Sequence, residues 1–166
     1  MISQNEKKII EELEKIRFLD SDKEDDDEAE EEIEGKVIRY EKYVHELCTQ
    51  SNIEIIPYLC EIAEDNATEQ SSVEYLIKMI VYMIDNDIEN SIKYIIKGTT
   101  KMIPKAYYKA CFLHTLIVRK KDLQKVYIRA LRNSSEEEKC IIKMLLLYLK
   151  RKNIEEDSIN YILENI

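Results

Sequence analysis

Nucleophilic, metal and phosphate chemistry each need particular side chains at particular spacings. This chain offers few of them. Histidine occurs at His45 and His114 only, and cysteine at Cys48, Cys60, Cys111 and Cys140. No two cysteines form a CxxC pair. Cys111 and His114 have the i, i+3 spacing of metal ligands on a helix, but a zinc site needs a second such pair and none is visible. A Cys–His nucleophile can assemble from distant positions. Here, however, His45 lies beside Val44, Leu47 and Cys48, and His114 lies among Phe112, Leu113 and Leu116. Those surroundings suit structural histidines and buried, reduced thiols. With Gly35 and Gly98 as the sole glycines, neither GxxxxGK nor GxGxxG can occur. The sequence therefore predicts no enzyme, no cofactor and no metal site.

Charge is the more informative pattern. Asp20 to Glu34 holds eleven acids against Lys23 alone. Within it, Asp25, Asp26, Asp27, Glu28, Glu30, Glu31 and Glu32 form a candidate acidic arm. It lacks the spacing and glycine of a calcium loop, and its self-repulsion predicts a solvated, flexible segment. Residues 91–132 are the counterpart, with eleven bases and only Asp122 as an acid. Lys93 opens that run, and Lys97, Lys101, Lys105, Lys109, Arg119, Lys120, Lys121, Lys125, Arg129 and Arg132 form a candidate binding face. Lys121, Lys125 and Arg129 share one helical face. Gly98 and Pro104 are expected to interrupt the Lys93-to-Lys109 series. Tyr94, Tyr107, Tyr108 and Tyr127 are interleaved and could stack on bases. The acidic arm could also fold over Arg119 to Arg132 and compete there with a phosphate-bearing ligand.

The elements that must carry these charges read as helices. A chain of 166 residues with 2 Gly and 2 Pro has too few turn residues for a sheet-rich fold. Residues 5–19 have one apolar face, with Ile9, Leu13 and Ile16 upon it. Helix is expected to resume near Glu30, and Ile33, Val37, Tyr40, Val44 and Leu47 then step by 4, 3, 4 and 3. Asn52, Asp87 and Asp122 read as helix caps 35 residues apart, with Asp157 one interval further on. Ser71-x-x-Glu74 and Ser135-x-x-Glu138 read as capping boxes. Gly98 reads as the residue just past a helix end, and Pro104 as a helix start. Two helices per 35-residue interval is the signature of a helix-pair solenoid.

On that period and capping, residues 52–166 resemble HEAT- or armadillo-type repeats. The resemblance implies an all-α fold of antiparallel helix pairs stacked as a short α-solenoid. The alternative is an irregular multi-helix bundle, of which a viral Bcl-2-like interaction protein would be one form. Residues 1–19 are expected as an N-terminal helix, 20–34 as the flexible acidic tract, and 35–166 as the helical domain. The expected function is a non-enzymatic adaptor or scaffold that binds a protein partner or ribonucleoprotein assembly. The rival expectation is an RNA- or ribosome-associated factor using segment 93–132. No apolar run reaches the roughly 20 residues of a membrane span, and no signal-peptide core is visible. The expected location is cytoplasmic or nuclear.

Overall fold

The computed structural model describes residues 2–166. Among them are nine α-helices and no strand. The helices are α1 (Gln4–Ile16), α2 (Asp26–Gln50), α3 (Ile56–Ile62), α4 (Gln70–Tyr82), α5 (Ile88–Met102), α6 (Tyr107–Val118), α7 (Lys121–Arg132), α8 (Glu136–Arg151) and α9 (Glu156–Leu163). The helices pack in two files. α1, α3, α5, α7 and α9 touch in succession, and so do α2, α4, α6 and α8. A helix-pair interval is present, but it is not a constant 35 residues: α3, α5, α7 and α9 begin at residues 56, 88, 121 and 156. The segments beginning at Asn52, Asp87 and Asp122 each contain two α-helices. α5 lies at the centre, against α3, α6, α7 and α8. It buries Ile92, Ile95, Ile96 and Met102, at about 1.5–3 kcal/mol for each large apolar side chain removed from water.

Residues 2–19 are part of this packing rather than an appendage. α1 contacts α2 and α3, and it buries Ile9, Ile10, Leu13 and Ile16. Ser3 and Glu6 cap its start reciprocally. α2 begins at Asp26, within the tract expected to be a solvated loop and ahead of Glu30. The cause is local. Asp25 Oδ1 accepts from the backbone N–H groups of Asp27 and Glu28, at 3.1 Å each. Asp26, Asp27 and Glu28 then sit in the first turn, at the positive end of the helix dipole. Carboxylates that repel one another in a loop are stabilised at that position.

The approximate interval was legible; the caps assigned to it mostly were not. Asp87 does cap α5, accepting from Asn90 N at 3.2 Å. Asn52 heads a short 3-10 turn without a side-chain cap, while Asp122 and Asp157 fall inside first turns. The box at Ser135 and Glu138 forms. The one at Ser71 and Glu74 does not, because α4 already starts at Gln70. α6 starts at Tyr107 rather than at Pro104.

Gly98 does not end a helix. α5 runs through it to Met102. A β-carbon at Gly98 would lie 2.7 Å from Cys60 Sγ, 2.9 Å from Cys60 Cβ and 3.2 Å from Pro57 Cα. The glycine is therefore where α5 and α3 press together backbone to backbone. Lys93, Lys97 and Lys101 consequently share one continuous helix, contrary to the interruption expected at this glycine.

Candidate functional site

His114, Cys48, Cys60 and Cys111 are locked into the interior, whereas His45 and Cys140 are exposed. His114 on α6 is fully buried between α5 and α7. Thr99 Oγ1 donates to Ile95 O at 2.8 Å, so it accepts from His114 Nε2–H, 2.8 Å away. His114 Nδ1 then accepts from the Tyr127 hydroxyl at 2.7 Å. Burial pushes the imidazole pKa down to about 3. It is neutral at physiological pH, and both its nitrogens are occupied in joining three helices. Burial also pushes the Cys48 and Cys60 thiols up to about 12, and Cys111 up to about 11. None is a thiolate at neutral pH. Among the described residues no group of His, Cys, Asp or Glu could hold a metal ion. No helix there is long and apolar enough to cross a membrane.

The ten candidate bases do not form one open face. Lys101 pairs with Glu61 at 2.5 Å, and Lys105 Nζ donates to the Glu61 carbonyl. Lys105 is partly buried near Arg17, and both effects lower its pKa. Lys109 is buried and lies 3.7 Å from Glu74. Arg119 pairs with Glu155 at 2.8 Å, Arg129 with Glu89, and Arg132 Nε donates to Asn165 O at 2.7 Å. Lys97, Lys120, Lys121 and Lys125 are exposed. Arg119, Arg129 and Arg132 are exposed as well despite their partners, so the exposed set divides between α5 and the stretch from Arg119 to Arg132. Tyr127 is buried against His114, and Tyr107 packs edge-on to Tyr148 at 5.3 Å. Tyr127 is thus closed to a base, Tyr94 and Tyr107 are half-buried, and Tyr108 is 65% exposed.

Lys101 and Lys105 hold the end of α3 at Glu61, and Asp65 N donates to Lys105 O at 3.1 Å, which joins the loop after α3 to the segment before α6. The Asp65 side chain completes this junction. Its carboxylate accepts from Tyr108 N at 2.8 Å and from Lys109 N at 3.0 Å. It therefore caps α6 from 43 residues away in the chain. Reading caps from sequence missed it, because that procedure searches only the adjacent residues. Glu64 is buried beside it, 3.5 Å from Arg17 Nε.

The acidic arm has two parts. Glu32 is held by Lys36 at 2.8 Å and by the Ser21 hydroxyl at 2.9 Å. Asp25 serves as the cap, and Glu28 lies 3.8 Å from Lys23. Asp26, Asp27, Glu30 and Glu31 are exposed, with no side-chain partner among the described residues. α2 buries no residue fully before Tyr40, so these carboxylates stand on its outer, more exposed half; Val37 still packs on the core there, and Glu32 and Lys36 tie that half to Ser21 and Asp20. Ile38, on the same half, is 61% exposed. The arm does not lie over Arg119 to Arg132. α2 packs on α1 and α4, whereas α7 packs on α5, α6 and α9.

Comparison with known families adds a specific finding. The family model described as immunity protein 30 matches residues 28–127, which runs from the first turn of α2 into α7 and covers three-fifths of the chain. No HEAT or armadillo family matches. No curated protein and no solved structure matches either.

Proposed function

Because this chain belongs to the immunity protein 30 family, we propose that it neutralises a protein toxin by binding it and covering the surface the toxin needs. Membership of that family is the observation that carries this reading. The interior supports it: His114 and the buried cysteines are placed for packing, and inhibition by occlusion requires no reactive group. The adaptor expected from sequence thereby becomes an inhibitor of one class of partner. The two helical files serve as a short α-solenoid scaffold that holds its exposed helices rigidly. RNA binding has no comparable support, since Lys101, Lys105, Lys109, Arg119, Arg129 and Arg132 are engaged within the chain.

The docking surface in this reading is the outer half of α2. Asp26, Asp27, Glu30 and Glu31 would face a basic patch on the toxin. Charge of this kind speeds encounter and suppresses wrong partners more than it adds affinity. Co-expression of the chain with a panel of toxic protein domains in a bacterial host provides the test. The expected result is that the chain rescues growth and co-purifies with one of them. Reversal of Asp26, Glu30 and Glu31 to lysine should slow association and flatten its salt dependence. Rescue without a complex would overturn inhibition by binding. Unchanged association by the triple variant would remove α2 as the docking surface.

A further inference from the structure

α8 has two apolar faces. Ile142, Leu145, Leu146 and Leu149 are buried inward. Cys140, Met144 and Leu147 point outward and are exposed, Met144 at 43% and Leu147 at 44%. They line an open groove of about 510 Å³ together with Glu136, Lys143 and Arg151. α8 ends its file, so no further helix covers this side. Spacings of four and three keep Cys140, Met144 and Leu147 on one stripe, as a helix-pairing seam requires.

We propose that this face pairs two copies of the chain through antiparallel α8 helices. The stripe is its own complement. Glu136, which holds Lys139 of its own chain at 2.8 Å, and Glu137 lie at its N-terminal end, and Lys150, Arg151 and Lys152 at its C-terminal end. Turning a second α8 end for end sets Glu136 opposite Arg151 of the other copy. The same register sets Cys140 opposite Leu147 and Lys143 opposite Met144. Every contact then occurs twice, as in an isologous twofold interface. The lysine stem can cover the methionine while its ammonium stays in water. A parallel pairing would instead set acids against acids and bases against bases. One helix pair is small beside the roughly 1,200–2,000 Å² of a stable interface, so the dimer is weak and concentration-dependent.

Sedimentation of the full chain over a concentration series tests this. The expected mass rises from 19.8 kDa toward twice that value. Met144→Glu with Leu147→Glu should remain monomeric at the same melting temperature. Glu136→Arg alone should weaken pairing, and adding Arg151→Glu in the same chain should restore it. Oxidised Leu147→Cys should form a covalent dimer through Cys140 of the other copy, whereas Leu147→Ser should not. Within one chain these positions are two helical turns apart, too far for a disulfide. A wild-type chain that is monomeric at every concentration overturns the proposal. So does a dimer that these substitutions leave intact, or a monomer whose α8 variants lose only toxin binding.

Discussion

Replacing each glycine with alanine should have opposite effects at the two sites. In a helix interior the exchange gains about 1 kcal/mol, because glycine loses more backbone freedom on folding. At Gly35 a β-carbon meets nothing within 4 Å, so the full gain is expected. At Gly98 the same atom falls 2.9 Å from Cys60 Cβ and 3.2 Å from Pro57 Cα, inside the roughly 3.5–4.0 Å of relaxed carbon contact. The Cys60 thiol can turn aside, but those two carbons are fixed by the α3 backbone. α3 and α5 must therefore part by several tenths of an ångström. Overpacking of this kind costs about 1–3 kcal/mol. The helical gain offsets part of it, leaving Gly98→Ala destabilised by about 1 kcal/mol. In a chain of this size each kcal/mol moves the melting temperature by about 2–4 °C. Far-UV circular dichroism should thus show Gly35→Ala melting higher than the parent and Gly98→Ala lower. A double-mutant cycle with Cys60→Gly, which removes the nearest atoms, should show coupling of about 1 kcal/mol. If Gly98→Ala melts as high as Gly35→Ala and the cycle shows no coupling, the close approach of α3 and α5 does not limit packing.

Three further outcomes are expected. His114 has a folded pKa near 3 against an ordinary value of 6.5, so the unfolded chain binds the extra proton. Its contribution is fully present above about pH 6.5 and falls by up to about 1.4 kcal/mol per pH unit as the medium acidifies toward 3. Urea titrations between pH 7 and 5 should show this slope in the wild type and its loss in His114→Asn; a flat wild-type profile would contradict a neutral buried imidazole. Asp65→Ala should cost about 1–2 kcal/mol by leaving the first N–H groups of α6 uncapped. Hydrogen exchange at Tyr108 and Lys109 should then accelerate, and unchanged protection there would refute the long-range cap. The buried Tyr40 hydroxyl has no hydrogen-bond partner among the described residues, so Tyr40→Phe should raise stability by about 1 kcal/mol; a lower melting temperature would show that the hydroxyl is satisfied.

What the sequence revealed was the content of each helix and the approximate interval between pairs. Apolar spacing located α1, α2 and the core residues Tyr40, Val44 and Leu47, because burial imposes the helical period directly. Ser135 and Glu138 were legible as a cap because both partners lie within one turn. The errors arose where a residue acts across the fold. Gly98 resembles a terminator in sequence and proves to be a contact between helices. Asp65 gives no local sign of its role at α6. Lys101 and Lys105 look like open positive charge until Glu61 is placed beside them. The outward stripe of Cys140, Met144 and Leu147 on α8 was not read from the sequence, because that helix carries apolar residues on both faces and only the fold shows which face is covered. Charge counts along a chain record composition; which charges stay exposed is decided by neighbours distant in sequence.

The two helical files also set how the molecule opens. Helices that touch mainly their neighbours form a nearly one-dimensional array, whose stability is a sum of neighbour terms. Opening should begin at the ends and reach α5 last, since α5 has partners on several sides. The outer turns of α2 bury no residue fully, so their amides should exchange at low free energy while those of α5 report global unfolding. Docking at Asp26, Glu30 and Glu31, the surface proposed above, should then register as slowed exchange of these same α2 amides.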